Sequence, residues 1–344
     1  MKNSSAVMVL ALVLASCGTS GPAVTIKNQP CMGCFDGDGL CLLGNLADAC
    51  GSAGAMCVAC GSGAECVSGA CVTADGGTMV PPGVGADGGL EDCSEEAKLI
   101  YVLDQNRTLA SFNPRNIGTS DPFTDLGRVS CAAQPGAEPF SMAVDRSATA
   151  WIIYDSGELF TVNVRALPLT CVKTSFVPQL SVAKFGMGFV ANEPGSTMET
   201  LFISGSDFTS SLTTTKFGTL GTTPPFKVTL QGTLAGAPEM SGTGDGKLWA
   251  FFPNVAPPKV AQLSKIDGSV VKSFTAQALA GSPRAWAFAF WGGQFFMFLE
   301  RDTDLSTHVW KMDSLTGAVS RPINGTGRHI VGAGVSTCAP LEIN

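Results

Sequence analysis

The chain has 344 residues, of which 28 are acidic and 21 are Lys or Arg, so its formal net charge is −7. No basic stripe is present that would contact a row of phosphates, which argues against a nucleic-acid partner. Charged residues make up only 14% of the chain and 41 residues are glycine. This composition favours a compact all-β extracellular protein over a helical enzyme.

The N-terminus has the features of an export signal. Lys2 supplies a positive charge, and an apolar run at 6–14 is followed by the small residues of Leu-Ala-Ser-Cys, which ends at Cys17. The run is too short to span a bilayer as a helix, which takes about 20 apolar residues. We therefore predict a signal peptide over residues 1–16.

Leu-Ala-Ser-Cys matches a lipobox, in which the cysteine becomes the acylated first residue of the mature chain. We predict lipidation of Cys17, with residues 17–30 as a tether, and the alternative is an ordinary signal peptide with a chance cysteine. Several acyl chains, each contributing about 0.8 kcal/mol per buried CH2, hold a protein firmly on a membrane. Gly18 replaces the aspartate that retains many Gram-negative lipoproteins at the inner membrane, so we expect an outer-membrane location.

The cysteine count also indicates export. Of 13 cysteines, 12 remain after Cys17, and an even number in an exported chain implies disulfides. Eight of them lie in a segment that offers little apolar material, residues 31–72: Cys31, Cys34, Cys41, Cys50, Cys57, Cys60, Cys66 and Cys71. We predict a small module held by four disulfides, and the eight cysteines allow 105 pairings.

Two cysteine pairs in this module have the spacing of zinc ligands, Cys31-x-x-Cys34 and Cys57-x-x-Cys60. Such spacing would favour zinc in the cytosol, but in an oxidising compartment it favours disulfides. We predict no bound metal and no cofactor. A Gly- and Pro-rich linker at 73–92 then leads to a large domain at 93–344.

The large domain repeats with a period near 50 residues. Five β-hairpin patterns can be aligned, and their equivalent positions advance in steps of 51, 50, 47 and 47 residues: Ile100, Trp151, Leu201, Leu248 and Phe295. Each hairpin has a fourth-strand candidate after it, at 125–131, 170–176, 226–230, 270–275 and 318–323. Small-residue strands follow at 140–145, 185–190, 239–244, 286–291 and 330–336. Four strands at this period predict a five-bladed β-propeller, and the rival is a β-sandwich pair.

The order of the strands predicts how the ring closes. The domain opens with the second strand of a blade, and the missing inner strand is left at the C-terminus, at 330–336. Pairing the two hides sheet edges that would invite aggregation. Cys93 and Cys338 flank these segments, so we predict a disulfide between them, and Cys131 then pairs with Cys171 by elimination.

Five segments carry a family resemblance: PFSMAVDR at 139–146, FGMGFV at 185–190, GTGDG at 242–246, AWAFAFWGG at 285–293 and IVGAGVSTC at 330–338. Together they resemble a group of myxobacterial secreted or outer-membrane lipoproteins that have propeller domains. The resemblance spans residues 93–340. It implies a propeller fold and a lipid-anchored location, and it implies no activity or ligand.

The candidate catalytic residues do not form a site in the sequence. A glycosidase needs paired carboxylates, but Asp145 and Asp245 lie in turn sequences and Glu239 is alone on its strand. The two histidines, His308 and His329, lack the motif context of a Ser-His-Asp triad, which favours packed or surface positions.

Aromatic residues alternate along one predicted inner strand, at Trp286, Phe288 and Phe290. Packing between blades is the favoured interpretation, and a sugar-stacking platform is the alternative. We predict a monomeric, membrane-anchored lipoprotein whose propeller is a non-catalytic platform for a protein or glycan ligand. The alternative is a secreted carbohydrate hydrolase, which requires two carboxylates to converge at one end of the central channel.

Overall fold

A computed structural model describes residues 33–35, 41–51, 55–57, 60, 64–67, 70–73, 93–208 and 213–343. The predicted signal peptide with Cys17, the tether, Cys31 and the linker beyond Thr73 lie outside the described residues. The chain divides into two compact units, Met1–Pro81 and Pro82–Asn344. None of the helices in the described part of the chain has the length and hydropathy needed to cross a bilayer.

The small unit contains short strands and disulfides. Its strands are β1 (Cys34–Phe35), β2 (Cys41–Leu42), β3 (Asn45–Leu46), β4 (Ala49–Cys50), β5 (Ala55–Met56), β6 (Ala64–Val67) and β7 (Ala70–Thr73). They form a three-stranded sheet in the order β2-β1-β5 and the two hairpins β3-β4 and β6-β7.

Three disulfides of this unit are resolved: Cys34–Cys57, Cys50–Cys66 and Cys60–Cys71. Cys41 is also disulfide-bonded. The Cys57-x-x-Cys60 pair is therefore split between two bonds. The sulfurs of Cys50, Cys60 and Cys71 lie within 4.8 Å of one another, but all three are in disulfides and provide no thiolate to a metal.

The large unit is a five-bladed β-propeller, as the repeat predicts. Blade 1 combines the last strand with the first three: β27 (Ile330–Val335), β8 (Ile100–Asp104), β9 (Thr108–Phe112) and β10 (Phe123–Arg128). Blade 2 contains β11 (Pro139–Val144), β12 (Thr149–Tyr154), β13 (Leu159–Asn163) and β14 (Cys171–Lys173). Blade 3 contains β15 (Lys184–Ala191), β16 (Glu199–Ser206), β17 (Thr214–Leu220) and β18 (Val228–Ala235).

Blade 4 contains β19 (Glu239–Gly242), β20 (Leu248–Phe252), β21 (Lys259–Leu263) and β22 (Val270–Thr275). Blade 5 contains β23 (Pro283–Trp291), β24 (Gln294–Arg301), β25 (His308–Asp313) and β26 (Val319–Ile323). Short 3-10 helices occupy Glu95–Lys98, Pro114–Asn116 and Gln277–Leu279. The predicted fourth strand at 270–275 matches β22, whereas β14 is shorter than the predicted 170–176.

The ring closes between β27 and β8. These strands pair antiparallel, with Ala333 opposite Val102 and Val335 opposite Ile100. The inner strand that the first blade lacks is therefore supplied by the C-terminal end of the domain, as the order of the strands predicts.

Apolar side chains fill the space between blades. Among the described residues of the propeller, five buried clusters occur, one at each interface between neighbouring blades. At the interface of blades 5 and 1, Phe112 of blade 1 meets Phe298 of blade 5 edge to face, with ring centroids 5.3 Å apart. Burial of these faces drives the ring together.

Glycines allow the inner strands to approach one another closely. A Cβ atom on Gly186 of β15 would lie 2.2 Å from the carbonyl oxygen of Pro238, just before β19. A Cβ atom on Gly242 of β19 would lie 2.1 Å from the carbonyl oxygen of Phe189 in β15. Both distances exclude a side chain, which explains why the innermost strands are rich in small residues.

Two disulfides lie in the propeller. Cys93 and Cys338 are bonded with a Cα–Cα distance of 5.8 Å, and Cys131 and Cys171 with 5.0 Å. The first joins residues 245 positions apart and the second residues 40 positions apart. The first is the pair that the order of the strands predicts, and the second is the pair assigned by elimination.

We expect the two disulfides to differ in their effect on stability. In the chain-entropy account a longer closed loop restricts the unfolded chain more, so Cys93→Ser with Cys338→Ser should cost about 2–5 kcal/mol. The matched control, Cys131→Ser with Cys171→Ser, should cost about 1–2 kcal/mol less by the same account. Thermal melting of both variants shows which loss of stability is larger, and peptide mapping without reduction checks which cysteines are bonded. A larger loss from the control pair would contradict the account.

Candidate functional site

A cavity lies at one end of the central channel, where the inner strands begin. Every blade contributes to its lining, and one such residue from each of blades 1 to 5 is, in order, Val331, Phe140, Lys184, Glu239 and Trp286. The cavity has a volume of about 420 Å³, within the range of roughly 300–1,000 Å³ that is usual for small-molecule sites. Because all five blades contribute, this site exists only in the closed ring.

Glu239 is the buried acid of this cavity. Its side chain is 4% exposed, and one carboxyl oxygen accepts a hydrogen bond of 2.8 Å from the Ser141 hydroxyl. The backbone N–H of Met187 also donates to it. These contacts connect blades 2, 3 and 4 around the channel. Burial raises the pKa of Glu239 well above its usual range, which favours the protonated carboxyl.

Two basic side chains line the same cavity. The Lys184 ammonium lies 5.5 Å from the centroid of the Phe140 ring, and it forms no ion pair with a described residue. The guanidinium of Arg284 lies 3.3 Å from a carboxylate oxygen of Glu300. Glu300 is buried and also contacts Nδ1 of His329 at 2.8 Å. This buried carboxylate therefore anchors Arg284 at the edge of the cavity.

The aromatic residues of β23 divide between packing and the cavity. Phe288 and Phe290 are buried at the interface of blades 4 and 5, and Trp291 is buried at the interface of blades 5 and 1, where its indole N–H donates to the carbonyl of Lys98 at 2.7 Å. Trp286 differs, because it is half-buried and lines the cavity. The packing interpretation is therefore right for most of this strand and incomplete for Trp286.

Small polar groups form the wall of the cavity toward blades 3 and 4. The hydroxyls of Ser204 and Thr215 lie 2.6 Å apart, and the Thr215 hydroxyl donates to the carbonyl of Gly236 at 2.8 Å. The side-chain oxygen of Asn254 accepts from the backbone N–H of Ala237 at 3.2 Å. These bonds hold a polar surface in place beside the aromatic one.

The other two predicted carboxylates lie at the opposite end of the inner strands. Asp145 follows β11 and accepts from the Thr149 backbone N–H and the Trp151 indole N–H, at 2.9 and 3.0 Å. Asp245 follows β19 and pairs with Lys247 at 2.5 Å. Both hold turns, as their sequence context indicates. Among the described residues that line the cavity, Glu239 alone has a carboxyl group.

Glu199 was not identified from the sequence, although its environment is unusual. It begins β16 and accepts hydrogen bonds from the Arg146 backbone N–H at 2.8 Å and from the Thr337 hydroxyl at 2.9 Å. Burial raises the pKa of Glu199 to about 7. Its partner Thr337 lies 138 residues away, so no local pattern marks this contact.

Both histidines contact carboxylates. Nε2 of His308 lies 3.3 Å from Asp304, and His329 contacts Glu300. In the described part of the chain neither imidazole hydrogen-bonds to a serine hydroxyl, so neither belongs to a nucleophile–base pair of the serine-hydrolase type.

No protein-family profile matches the chain, and no curated protein sequence does. Solved structures with similar folds include the PQQ-bound aldose sugar dehydrogenase from Streptomyces coelicolor, at 9% identity and a TM-score of 0.39, covering 69% of this chain and 81% of that one. The GH43 β-1,3-galactosidase BT0265 is 12% identical with a TM-score of 0.37, covering 57% and 45%. A protein of unknown function from Bacteroides caccae is 12% identical with a TM-score of 0.39, covering 77% and 93%. Similarity at this level concerns the fold alone.

The raised pKa of Glu199 predicts how the stability of the protein changes with pH. Its pKa of about 7 lies above the usual 4.5, so between these values the folded protein keeps a proton that the unfolded chain loses, and stability falls as pH rises. Glu199→Gln cannot ionise, so its stability relative to the original protein should rise by up to about 3 kcal/mol between pH 4.5 and pH 8. Melting across this range measures the difference, and parallel curves for the two proteins would contradict it.

Proposed function

We propose that this protein is a lipid-anchored protein of the bacterial cell envelope whose propeller binds a glycan, without catalysis, in the cavity at the end of the central channel. The observation that supports this best is the lining of the cavity. A half-buried indole and phenyl ring lie beside fixed hydroxyl and amide groups, and the rings suit the C–H faces of a sugar while the polar groups suit its hydroxyls.

The carboxyl groups support binding over hydrolysis. Glycosidases of the common type use two carboxyl groups that flank the scissile bond. In this cavity Glu239 is held by Ser141 and by the backbone of blade 3. The next carboxylate, Glu300, is 1% exposed and is bound by Arg284 and His329. Among the described residues that line the cavity or lie next to it, no second carboxylate is therefore presented to a ligand as a hydrolase needs.

The membrane anchor is proposed from the sequence of the N-terminus. Cys17 in Leu-Ala-Ser-Cys would carry the acyl chains, and the residues up to the propeller would hold it away from the membrane surface. With a ligand site on the propeller and an anchor at the other end of the chain, the protein would retain a glycan at the envelope.

Lipidation can be tested directly. Radiolabelled palmitate should enter the intact chain, and globomycin should cause the precursor to accumulate, because lipoprotein signal peptidase acts only on the acylated cysteine. Cys17→Ala should abolish labelling and leave the chain as a precursor or in the soluble fraction. Labelling of the Cys17→Ala variant, or absence of label in the original chain, would contradict the proposed anchor.

Glycan binding can be tested with one tryptophan variant and a matched control. The purified full-length lipoprotein in detergent is screened against a panel of neutral and acidic oligosaccharides, with release of reducing ends as the assay for hydrolysis. Trp286→Ala should weaken binding about tenfold or more, because it removes the aromatic surface of the cavity. Trp310→Ala should leave binding unchanged, since Trp310 lies on β25, contacts the guanidinium groups of Arg301 and Arg321 and does not line the cavity. Enzymatic release of sugar, or equal losses in both variants, would contradict the proposal.

A further inference from the structure

The charge around the cavity has the opposite sign to that of the whole chain. The chain has a net charge of −7, yet two basic side chains, Lys184 and Arg284, line the cavity. The one acid among the described lining residues, Glu239, is buried and hydrogen-bonded to Ser141. A ligand in this cavity therefore meets positive charge.

The two cations differ in how they are held, and both remain available to a ligand. Lys184 is half-buried, rests over the Phe140 ring and has no carboxylate partner among the described residues. Arg284 uses one terminal nitrogen for Glu300, while its side chain is 54% exposed. A guanidinium has five N–H donors, so the contact with Glu300 orients it and leaves donors for a second carboxylate.

We propose that the cavity selects an acidic saccharide, a hexuronate-containing glycan whose carboxylate is bound by Lys184 and Arg284 while its pyranose ring lies against Trp286. This inference rests on the proposed glycan binding and names the class of glycan. A neutral sugar would leave the ammonium of Lys184 partly desolvated and without a counter-charge, which is unfavourable. A planar carboxylate matches the fork of a guanidinium.

The two ligands that test this proposal share one sugar backbone, and methyl esterification removes the charge from one of them. Trigalacturonate is compared with its trimethyl ester by titration calorimetry on the full-length lipoprotein in detergent. We expect the acid to bind at least about tenfold tighter than the ester at low salt. The preference should shrink when the ionic strength rises toward about 1 M, where screening lengths fall to about 3 Å.

Two lysine variants test whether the preference for the acid depends on Lys184. Lys184→Met should reduce the affinity for the acid about tenfold and should not weaken binding of the ester, which gains nothing from the ammonium. The matched control is Lys272→Met, because the Lys272 ammonium also lies over a phenylalanine, 4.5 Å from the Phe274 centroid, but on the outer strand β22. This control should bind both ligands as the original protein does, and melting curves confirm that both variants are folded.

Each outcome supports or overturns the proposal. Equal affinity for acid and ester, or an equal loss in the two lysine variants, overturns acid selection while leaving glycan binding intact. Tighter binding of hexaglutamate than of trigalacturonate assigns the cavity to an acidic peptide and overturns the proposal. Absence of binding by every saccharide on the panel overturns both the inference and the proposed function.

Discussion

A ring of blades must join its first strand to its last, and here that junction is the pairing of β27 with β8 inside blade 1. The interfaces on both sides of this blade are buried apolar clusters, and Cys338, just after β27, is part of one of them and is bonded to Cys93. Packing and a covalent bond thus act at the same place. Because Val331 of β27 lines the cavity, the geometry of the candidate site depends on this closure.

The close packing of the inner strands around the channel determines where polar side chains can be placed. At Gly186 and Gly242 the neighbouring backbone is too close for any side chain, so functional groups are placed at the strand ends. Glu239, the first residue of β19, is bonded to Ser141 two blades away, and Glu199 is bonded to Thr337 at the opposite end. Such cross-channel contacts satisfy buried polar groups that would otherwise be costly, and they exist because five blades bring distant segments together.

The repeat period made the fold predictable, since one hydrophobic pattern recurs five times and the order of strands indicates the closure. The order of the strands also predicted the pair Cys93–Cys338, and elimination then left Cys131 with Cys171. The residues of the candidate site were harder to predict from the sequence. The pattern at 286–290 shows that one strand face is aromatic, but not that Trp286 lies at the open end while Phe288 and Phe290 are enclosed. Glu239 has no sequence neighbour that reveals Ser141, 98 residues away. The repeat period shows on which strand, and on which face of the sheet, a residue lies. It does not show which residues meet across the channel, because that depends on how the blades are arranged in space.

The burial of Glu239 links the stability of the ring to the electrostatics of the cavity. Burial raises its pKa and favours the uncharged acid, which would not offset the charges of Lys184 and Arg284. The protonated carboxyl is also a hydrogen-bond donor, which an ionised carboxylate is not. Arg284 keeps its own counter-ion, Glu300, behind it and away from the cavity. Glu239 is enclosed between blades, and Glu300 is bound by Arg284 and His329. The basic groups Lys184 and Arg284 therefore line the cavity of an acidic chain, and the packing of blades 2, 3 and 4 that buries Glu239 favours this arrangement.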